Sequence, residues 1–273
     1  MVDQRDLAVH SIVLEDPPLD LAPLPLVSTQ LVVFDFDWSL ADQDTDRWVH
    51  EVLSPRLRIE FVRLKESMQF TDMCAYLLEE LHKEGHSREA LEDALRSMPM
   101  HPGMIRGVRT LQSSHPHTDF FLLSNSNEVY IQTILPSKGL TEPPLFKEIV
   151  TNPAHWEPNG LLRLSRRIPP DGPQHACRIG CSPNMCKGDE LDAFRARHAS
   201  TPYERVVYVG DGSNDYCPIL RLGPKDVALV RRHRGLARRI LEEGGVQCTV
   251  RYWSGAWEAE QLLQQLAVSP EAK

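Results

Sequence analysis

The sequence predicts an α/β fold built on a parallel, doubly wound sheet, with a small helical insert after the first strand. Three short apolar runs, at 31–34, 120–123 and 206–209, each end in a polar residue. Such runs are typical of strands buried on both faces of a parallel sheet. Helical patterns separate the runs, and residues 46–98 show helical spacing throughout. Strands alternating with helices favour parallel pairing.

The first 29 residues are polar and contain four prolines that interrupt any periodicity. We therefore expect an extended N-terminal arm over 1–29. The core domain is expected over 30–45 and 100–268, with the helical insert over 46–99. Within the insert, Thr71 is placed to cap one helix.

The remaining elements follow the same alternation. A helix over about 104–111 leads to the second apolar run, which ends at Ser124. Residues 148–150 and 161–164 are expected to be strands on either side of a proline-containing loop, and a helix should begin near Lys187. Each main strand therefore presents a polar tip.

Composition limits the class of protein. The chain has 273 residues, of which 41% are hydrophobic, and 30 basic residues face 38 acidic ones, for a formal charge of -8. This balance gives no electrostatic footprint for nucleic acid. The one basic cluster, at 231–239, is interpreted as the solvated face of a helix. No apolar run is long enough to span a membrane, so neither nucleic acid nor membrane is an expected partner.

The N-terminus lacks the pattern of a secretory signal, and the six cysteines are expected to be reduced thiols of a cytoplasmic protein. His175, Cys177, Cys181 and Cys186 fall within twelve residues, and could supply the nitrogen and sulfur ligands of a zinc site. Their spacing is not a paired Cys-x-x-Cys. Plain reduced thiols beside Lys187 are therefore the favoured interpretation.

Ligands of doubly wound sheets bind at the carboxyl ends of the strands, where polar residues of several segments meet. Asp35 and Asp37 follow the first strand, and a glycine-rich segment follows the third. We expect these side chains to converge in one crevice. The candidate residues are Asp35, Asp37, Ser124, Lys187, Asp211 and Asp215.

This set suits phosphoryl transfer, which needs an in-line attacker, neutralised oxygens and a proton for the leaving group. Asp35 can attack phosphorus and form an aspartyl-phosphate. Asp37 can protonate the leaving alkoxide and then activate water. Ser124 would hold phosphoryl oxygens, while Lys187 would supply fixed positive charge.

Several carboxylates in one crevice repel each other unless a cation is present. Mg²⁺ prefers oxygen ligands, so it is the expected cofactor. Asp35, Asp211 and the backbone carbonyl of Asp37 would bind it directly, with Asp215 nearby. The sequence contains no Walker loop and no Gly-x-Ser-x-Gly nucleophile elbow, which argues against an ATPase and a serine hydrolase.

With Ser39, these residues resemble the four motifs of the haloacid-dehalogenase superfamily. More narrowly, five strings resemble its phosphoethanolamine/phosphocholine phosphatase branch. The strings are Phe34-Asp35-Phe36-Asp37, Asp46, Thr151-Asn152-Pro153, Pro183-Asn184-Met185-Cys186-Lys187 and the segment Gly210 to Pro218. The superfamily usually has threonine or valine at the position of Ser39; serine keeps the hydroxyl.

The resemblance implies a Rossmann-like core and a helical cap over 46–99 that closes over the substrate. It implies hydrolysis of a small phosphomonoester: phosphoethanolamine, phosphocholine, pyridoxal phosphate or thiamine monophosphate. Members that act on cationic amino alcohols are expected to carry two acids, matched here by Asp46 but replaced by Asn125 at the second position. Trp38 would lie near the entrance, either packing under the cap or stacking on substrate.

Two alternatives remain open on the same scaffold. A phosphotransferase or mutase would pass the phosphoryl group to a second alcohol instead of water, and fold analogy does not separate it from a phosphatase. A non-catalytic regulatory protein would be expected to lose a nucleophile or a metal carboxylate, whereas all four aspartates are present here. The oligomeric state is left open.

Overall fold

The computed structural model describes residues 18–115, 117–141, 144–200 and 202–267. Its main sheet has six parallel strands in the order β3-β2-β1-β6-β7-β8, and β4 and β5 form a separate antiparallel pair. The strands are β1 (Gln30–Phe34), β2 (Thr118–Asn127), β3 (Phe146–Asn152), β4 (Ala154–Trp156), β5 (Leu162–Leu164), β6 (Arg205–Gly210), β7 (Val227–Arg231) and β8 (Thr249–Trp253).

Strand β1 lies at the centre of this sheet. Val33 pairs with Phe121 of β2 on one side and with Tyr208 of β6 on the other. The chain winds outward in opposite directions from β1, so the strand order reverses there. In open α/β sheets this reversal opens a crevice at the carboxyl ends of the strands. Asp35, which follows β1, and Asp211, which follows β6, meet at that crevice.

Helices cover both faces of the sheet. Val32 and Phe34 pack into one buried cluster, and Leu31 and Val33 into a second cluster on the opposite face. Burial on both faces explains why β1 is a continuous apolar run. The helices are α1 (Thr45–Leu53), α2 (Pro55–Leu64), α3 (Phe70–Lys83), α4 (Arg88–Ser97), α5 (Pro102–Ser114), α6 (Glu128–Ser137), α7 (Lys187–Arg197), α8 (Tyr216–Ile219), α9 (Gly235–Glu243) and α10 (Ala256–Ala267).

The parallel, doubly wound α/β sheet predicted from the sequence is confirmed. Strand β2 is longer than expected and continues past Ser124 through an irregularity in its pairing with β3. Helix α3 starts earlier than predicted: Gln69, not Thr71, caps it, because the Gln69 side chain accepts a hydrogen bond from the amide of Asp72 at 3.0 Å. Boundaries at helix ends depend on such local bonds.

The expected insert contains four helices, α1 to α4, between 45 and 97. The arm at 18–29 has no helix or strand, and its first seventeen residues lie outside the described part of the chain. The division into arm, core and cap stays a prediction. The interpretation of 231–239 as one helix face is wrong: Arg231 ends β7, and Arg232 is buried against Glu258 at 3.0 Å. In the described ranges, no helix is long and apolar enough to cross a membrane.

Candidate active site

Three buried carboxylates meet at the carboxyl edge of the sheet, and we call them the central acidic group. They belong to Asp35, Asp211 and Asp215, whose ligand oxygens all lie within 4.8 Å of one another. Asp35 follows β1 directly, and its amide donates to the carbonyl of Val209 in β6 at 2.9 Å. The pairing of β1 with β6 thereby holds Asp35 next to the carboxyl end of β6.

Lys187, the first residue of α7, lies between two members of this group. Its ammonium nitrogen is 2.7 Å from Asp35 Oδ1 and 2.8 Å from Asp215 Oδ1. All three side chains are buried, Lys187 with only 1% of its surface exposed. An ion pair buried to this degree requires further hydrogen bonds to satisfy its remaining atoms. The neighbouring backbone supplies them.

Asp215 receives most of these bonds. Its Oδ2 accepts from the amides of Asp211 at 3.1 Å and Gly212 at 2.9 Å, and the Tyr208 hydroxyl donates to Oδ1 at 2.7 Å. A Cβ at Gly210 would come within 2.8 Å of the Asp215 carboxylate, so only glycine allows this approach. Asp215 is thus a positioned side chain that holds Lys187 and the turn after β6.

The charges of the central acidic group are not balanced by protein alone. Three carboxylates and one ammonium sum to -2 when all are ionised. Burial and the charge of Asp215 raise the pKa of Asp35 well above its ordinary value, and burial raises that of Asp211 to about 7. Burial alone would lower the pKa of Lys187, but the two carboxylates outweigh it and raise the pKa. A divalent cation with oxygen ligands fits this donor set and charge.

A second acidic group lies beside the first, and we call it the outer acidic group. It comprises Asp37, Asp44 and Asp46, again with ligand oxygens within 4.8 Å of one another. The backbone amide of Thr45 donates to Asp37 Oδ1 at 2.8 Å, and Asp44 caps α1 by accepting from the amide of Arg47 at 2.9 Å. These donors are neutral, in contrast to Lys187 in the central group.

The electrostatics of the outer acidic group favour protonation. Burial, and then the charges of Asp44, Asp46 and Asp35, raise the pKa of Asp37 well above its ordinary value. Burial and the nearby Asp44 raise the pKa of Asp46 to about 8. A carboxyl that keeps its proton near neutral pH can act as a general acid. This is the property predicted for Asp37.

Ser124 lies at the edge of this arrangement. Its hydroxyl is fully buried and accepts a hydrogen bond from the amide of Ser126 at 3.1 Å. The Ser126 hydroxyl is 2.8 Å from that of Thr45, whose amide bonds Asp37. Hydrogen bonds through Ser126 and Thr45 therefore connect Ser124 to Asp37 of the outer acidic group. The Ser39 hydroxyl is also buried, and it has no hydrogen-bond partner among the described residues.

Trp38 lies under two arginines that sequence reasoning placed elsewhere. The Arg234 guanidinium carbon is 3.9 Å from the centre of the Trp38 ring, and that of Arg231 is 5.4 Å away. Arg231 also donates to the Trp38 carbonyl at 2.7 Å. This bond helps hold Trp38 at a positive φ of 57°, which is uncommon for a bulky residue. The ring stacks on arginine, and the two cations lie near the crevice.

Asn125 is held by a neighbouring loop. Its side-chain oxygen accepts a hydrogen bond from the side-chain amide of Asn214 at 2.9 Å. Its backbone carbonyl accepts one from the side chain of Asn152 at 2.6 Å. Asn184 in turn donates to Asn152 at 2.8 Å and to Thr71 of α3 at 3.1 Å. Asn152 and Asn184 therefore fasten the second polar tip to the loop before α7.

The structure brings together Asp35, Lys187, Asp211 and Asp215 as predicted, and it places Asp37 and Asp46 in the adjoining group. Sequence reasoning missed Tyr208, Arg231 and Arg234. A signal existed for Tyr208, since it is the one hydroxyl-bearing residue in the apolar run of β6. The arginines gave no such signal, because stacking on Trp38 joins positions almost 200 residues apart. The catalytic and binding roles of all these residues stay predictions.

Solved structures share this architecture. A haloacid-dehalogenase family hydrolase from Salmonella enterica serovar Typhi superposes with a TM-score of 0.52 over 81% of this chain and 73% of that chain, at 14% identity. At this identity the likeness shows the fold alone. This chain, with six parallel strands and helices on both faces of the sheet, therefore has a haloacid-dehalogenase fold.

Sequence comparisons narrow the class. A family model described as "Putative Phosphatase" matches residues 30–267, and the chain belongs to this phosphatase family. A thiamine phosphate phosphatase-like protein of Arabidopsis thaliana is 31% identical, over 86% of this chain and 94% of its own length. Inorganic pyrophosphatase 1 of the same plant is 31% identical over 84% and 76%. Pyridoxal phosphate phosphatase PHOSPHO2 of Mus musculus is 29% identical over 86% and 98%. The branch resemblance and the assignment as an enzyme are confirmed.

Proposed function

We propose that this phosphatase is a magnesium-dependent phosphomonoester hydrolase that works through a phosphorylated Asp35. The observation that carries the proposal is the central acidic group with Lys187 at the crevice of the sheet. A carboxylate, an ammonium and a cation site within one hydrogen-bonded cluster are the parts that phosphoryl transfer to an aspartate needs. Membership of a phosphatase family supports the same reaction.

The hydrogen bonds of Asp35 favour one of its two oxygens as the attacking atom. Oδ1 accepts from the amide of Phe36 at 2.7 Å and pairs with Lys187 at 2.7 Å. The other oxygen, Oδ2, is therefore the one with a lone pair left for phosphorus. It forms the new O–P bond as the bond from phosphorus to the leaving oxygen breaks. The fixed Oδ1 holds the carboxylate in one orientation, which lowers the entropic cost of in-line attack.

Asp37 handles the proton in both halves of this reaction. With its raised pKa it enters protonated, and it gives the proton to the leaving oxygen, so that a neutral alcohol departs. The resulting carboxylate then takes a proton from water, which attacks phosphorus and breaks the bond to Asp35 Oδ2. Inorganic phosphate leaves and both aspartates return to their starting states. Thr45 orients Asp37 through its amide.

Asp35, Asp211 and the carbonyl of Asp37 would hold the Mg²⁺ ion, with Asp215 close behind. The bound ion supplies positive charge that neutralises the phosphoryl oxygens and favours the ionised form of Asp35. Lys187 supplies a fixed positive charge between Asp35 and Asp215. Ser124 and neighbouring backbone amides would bind the remaining phosphoryl oxygen.

The substrate proposed is a small phosphorylated metabolite. Relatives are named for thiamine phosphate, pyridoxal phosphate and pyrophosphate, and the sequence strings resemble enzymes acting on phosphoethanolamine and phosphocholine. Arg234 stacks on Trp38 and, together with Arg231, which also pairs with Asp42 at 3.8 Å, favours an anionic group at the entrance. The resemblance assigns Asp46 to a cationic amine, but burial raises the pKa of this carboxyl to about 8, so near neutral pH it carries little charge. Asn125 offers no charge and is bonded to Asn214. The arginines and the named relatives favour the vitamin phosphates and pyrophosphate over amino-alcohol phosphates.

A substrate panel with controlled metal tests this proposal. Chelator-treated protein is assayed with and without added Mg²⁺ on pyridoxal phosphate, thiamine monophosphate, pyrophosphate, phosphoethanolamine and phosphocholine, comparing kcat/KM. We expect turnover only with Mg²⁺ and higher values for the first three compounds. Turnover that is indifferent to metal would contradict the mechanism, and no turnover on any compound would favour a non-catalytic role.

A parallel assay separates hydrolase from phosphotransferase. Glycerol or ethanolamine is added as acceptor, and the products are resolved. A hydrolase releases free phosphate in the amount of substrate consumed, because water is the acceptor. Quantitative transfer to the alcohol would establish the alternative enzyme.

A further inference from the structure

Four thiols converge beside the candidate active site, three from one short stretch of chain and the fourth from a segment about thirty residues further on. Cys177 and Cys181 lie in the irregular stretch between β5 and α7, Cys186 caps α7, and Cys217 lies in α8. The sulfur of Cys177 is 3.6 Å from those of Cys181 and Cys217, and Cys186 is 3.4 Å from Cys217. All four sulfurs lie within 4.8 Å of one another.

These distances match a four-thiolate metal centre. With Zn–S bonds of about 2.3 Å in a tetrahedron, neighbouring sulfurs are about 3.8 Å apart. A disulfide would require a sulfur separation of about 2.05 Å. The observed 3.4 to 3.6 Å is far longer than a disulfide and close to the tetrahedral edge. Tetrahedral four-sulfur sites are typical of zinc or of iron.

The surroundings suit bound thiolates. The amide of Ile179 donates to the Cys177 sulfur at 3.4 Å, two residues along the chain. Cys186 lies at the N-terminus of α7, where the helix dipole favours negative charge. The Cys217 sulfur and the Arg221 guanidinium both lie against Gly188, which places the guanidinium near the sulfur. Amide, dipole and guanidinium together would offset part of the negative charge of four thiolates on one ion.

We propose that Cys177, Cys181, Cys186 and Cys217 bind one structural Zn²⁺ ion. The sequence favoured plain reduced thiols, and the zinc site that it left as the alternative had His175 as its fourth ligand. In the structure the His175 ring instead contacts the carbonyl of Ser182 at 2.8 Å. Four protein ligands leave no open position for a substrate or water, which marks a structural site and not a catalytic one.

The location of the proposed zinc site indicates which part of the fold the ion would stabilise. The stretch from Ser165 to Cys186 contains no helix or strand, and loops of this length require some means of being held. The zinc site would fasten that stretch to α7 and α8. Its ligand Cys186 immediately precedes Lys187, and Cys217 lies two residues after Asp215. The site would therefore position two members of the buried ion-pair cluster without touching substrate.

The full-length protein, purified without a metal-affinity step, is analysed for bound metals. We expect about one zinc per chain, since one tetrahedral site holds one ion. Release of zinc on titrating the thiols with a mercurial should follow modification of four cysteines. Replacing zinc with Co²⁺ should give the visible and near-ultraviolet bands of tetrahedral thiolate cobalt. Protein free of zinc, and unable to take up cobalt in this form, would overturn the proposal.

Variants assign the ligands. Cys177→Ser and Cys181→Ser should lose most of the zinc and melt at a lower temperature than wild type. Cys248→Ser, a buried thiol outside the cluster, is the matched control and should keep the metal. His175→Gln should keep the zinc as well. Loss of zinc in this variant would mean that His175, and not Cys217, is the fourth ligand. Asp211→Asn should also keep zinc, which separates this site from the central acidic group.

Discussion

The two acidic groups of the crevice contain the same residue type but differ in what compensates it. In the central group, Lys187 lies within 2.8 Å of two carboxylates, and the remaining charge suits a divalent cation. In the outer group, Asp37 receives its hydrogen bonds from Thr45, a neutral donor. The first environment favours ionised carboxylates once the cation is present, and the second keeps a proton. Environments that separate the pKa values of adjacent acids assign the roles of nucleophile and general acid.

The largest expected effect comes from changing Asp35 of the central acidic group. Asp35→Asn removes the attacking oxygen, so kcat should fall by at least about 10⁴-fold with the fold intact. Steady-state turnover and a circular dichroism melt check both halves. Asp93→Asn, an exposed change on α4, is the control and should retain activity. Retained activity in Asp35→Asn would mean that another group attacks phosphorus.

Asp37→Asn tests the outer group. Loss of the general acid should lower kcat by about 10² to 10⁴-fold on an alkyl phosphate. The loss should be smaller on p-nitrophenyl phosphate, whose leaving group departs without a proton. In wild type the acid is active below its raised pKa, so activity on alkyl phosphates should decline as pH rises through that value. Equal losses on both substrates would argue that Asp37 acts only by position.

Lys187→Met tests the compensation of the central group. Without the ammonium, transition-state charge is less stabilised, and kcat should fall by about 10² to 10³-fold. The Mg²⁺ concentration for half-maximal activity should also change, because two carboxylates lose their partner. Metal titrations of the two proteins measure this. Lys83→Met, on an exposed lysine of α3, provides the comparison. An unchanged metal requirement would mean that Lys187 and the cation act independently.

Asp46→Asn tests the outer acidic group through stability instead of turnover. Folding raises the pKa of Asp46 from 3.8 to about 8, so its protonated form stabilises the fold at low pH and this contribution is lost as pH rises toward 8. Asparagine stays neutral, so the variant should match wild type near pH 4 and melt at a higher temperature near pH 9. Each tenfold difference in proton affinity between the folded and unfolded states corresponds to about 1.4 kcal/mol. A melting difference that is constant with pH would exclude this explanation.

Much of this site was predictable because the candidate residues stand at or just after strand ends. Asp35, Asp37, Asp211 and Asp215 each follow an apolar run, and parallel strands bring their carboxyl ends to one edge. The local sequence pattern was less reliable at the start of α3. There the Gln69 side chain, and not that of Thr71, accepts the capping hydrogen bond from the backbone. The pattern also failed at 231–239, where burial of Arg232 against Glu258 overrides the solvated-helix interpretation.

The amino-acid sequence by itself determined the α/β class, the strands that the candidate aspartates follow and the approximate extent of the helical segment. Hydrophobic periodicity and turn chemistry are local properties, and a single chain displays them directly. Only the tertiary structure decided that Lys187 joins Asp35 to Asp215, that Arg234 covers Trp38, and that Cys217 joins the other thiols. These contacts connect residues far apart along the chain, and close packing, not sequence spacing, sets their distances.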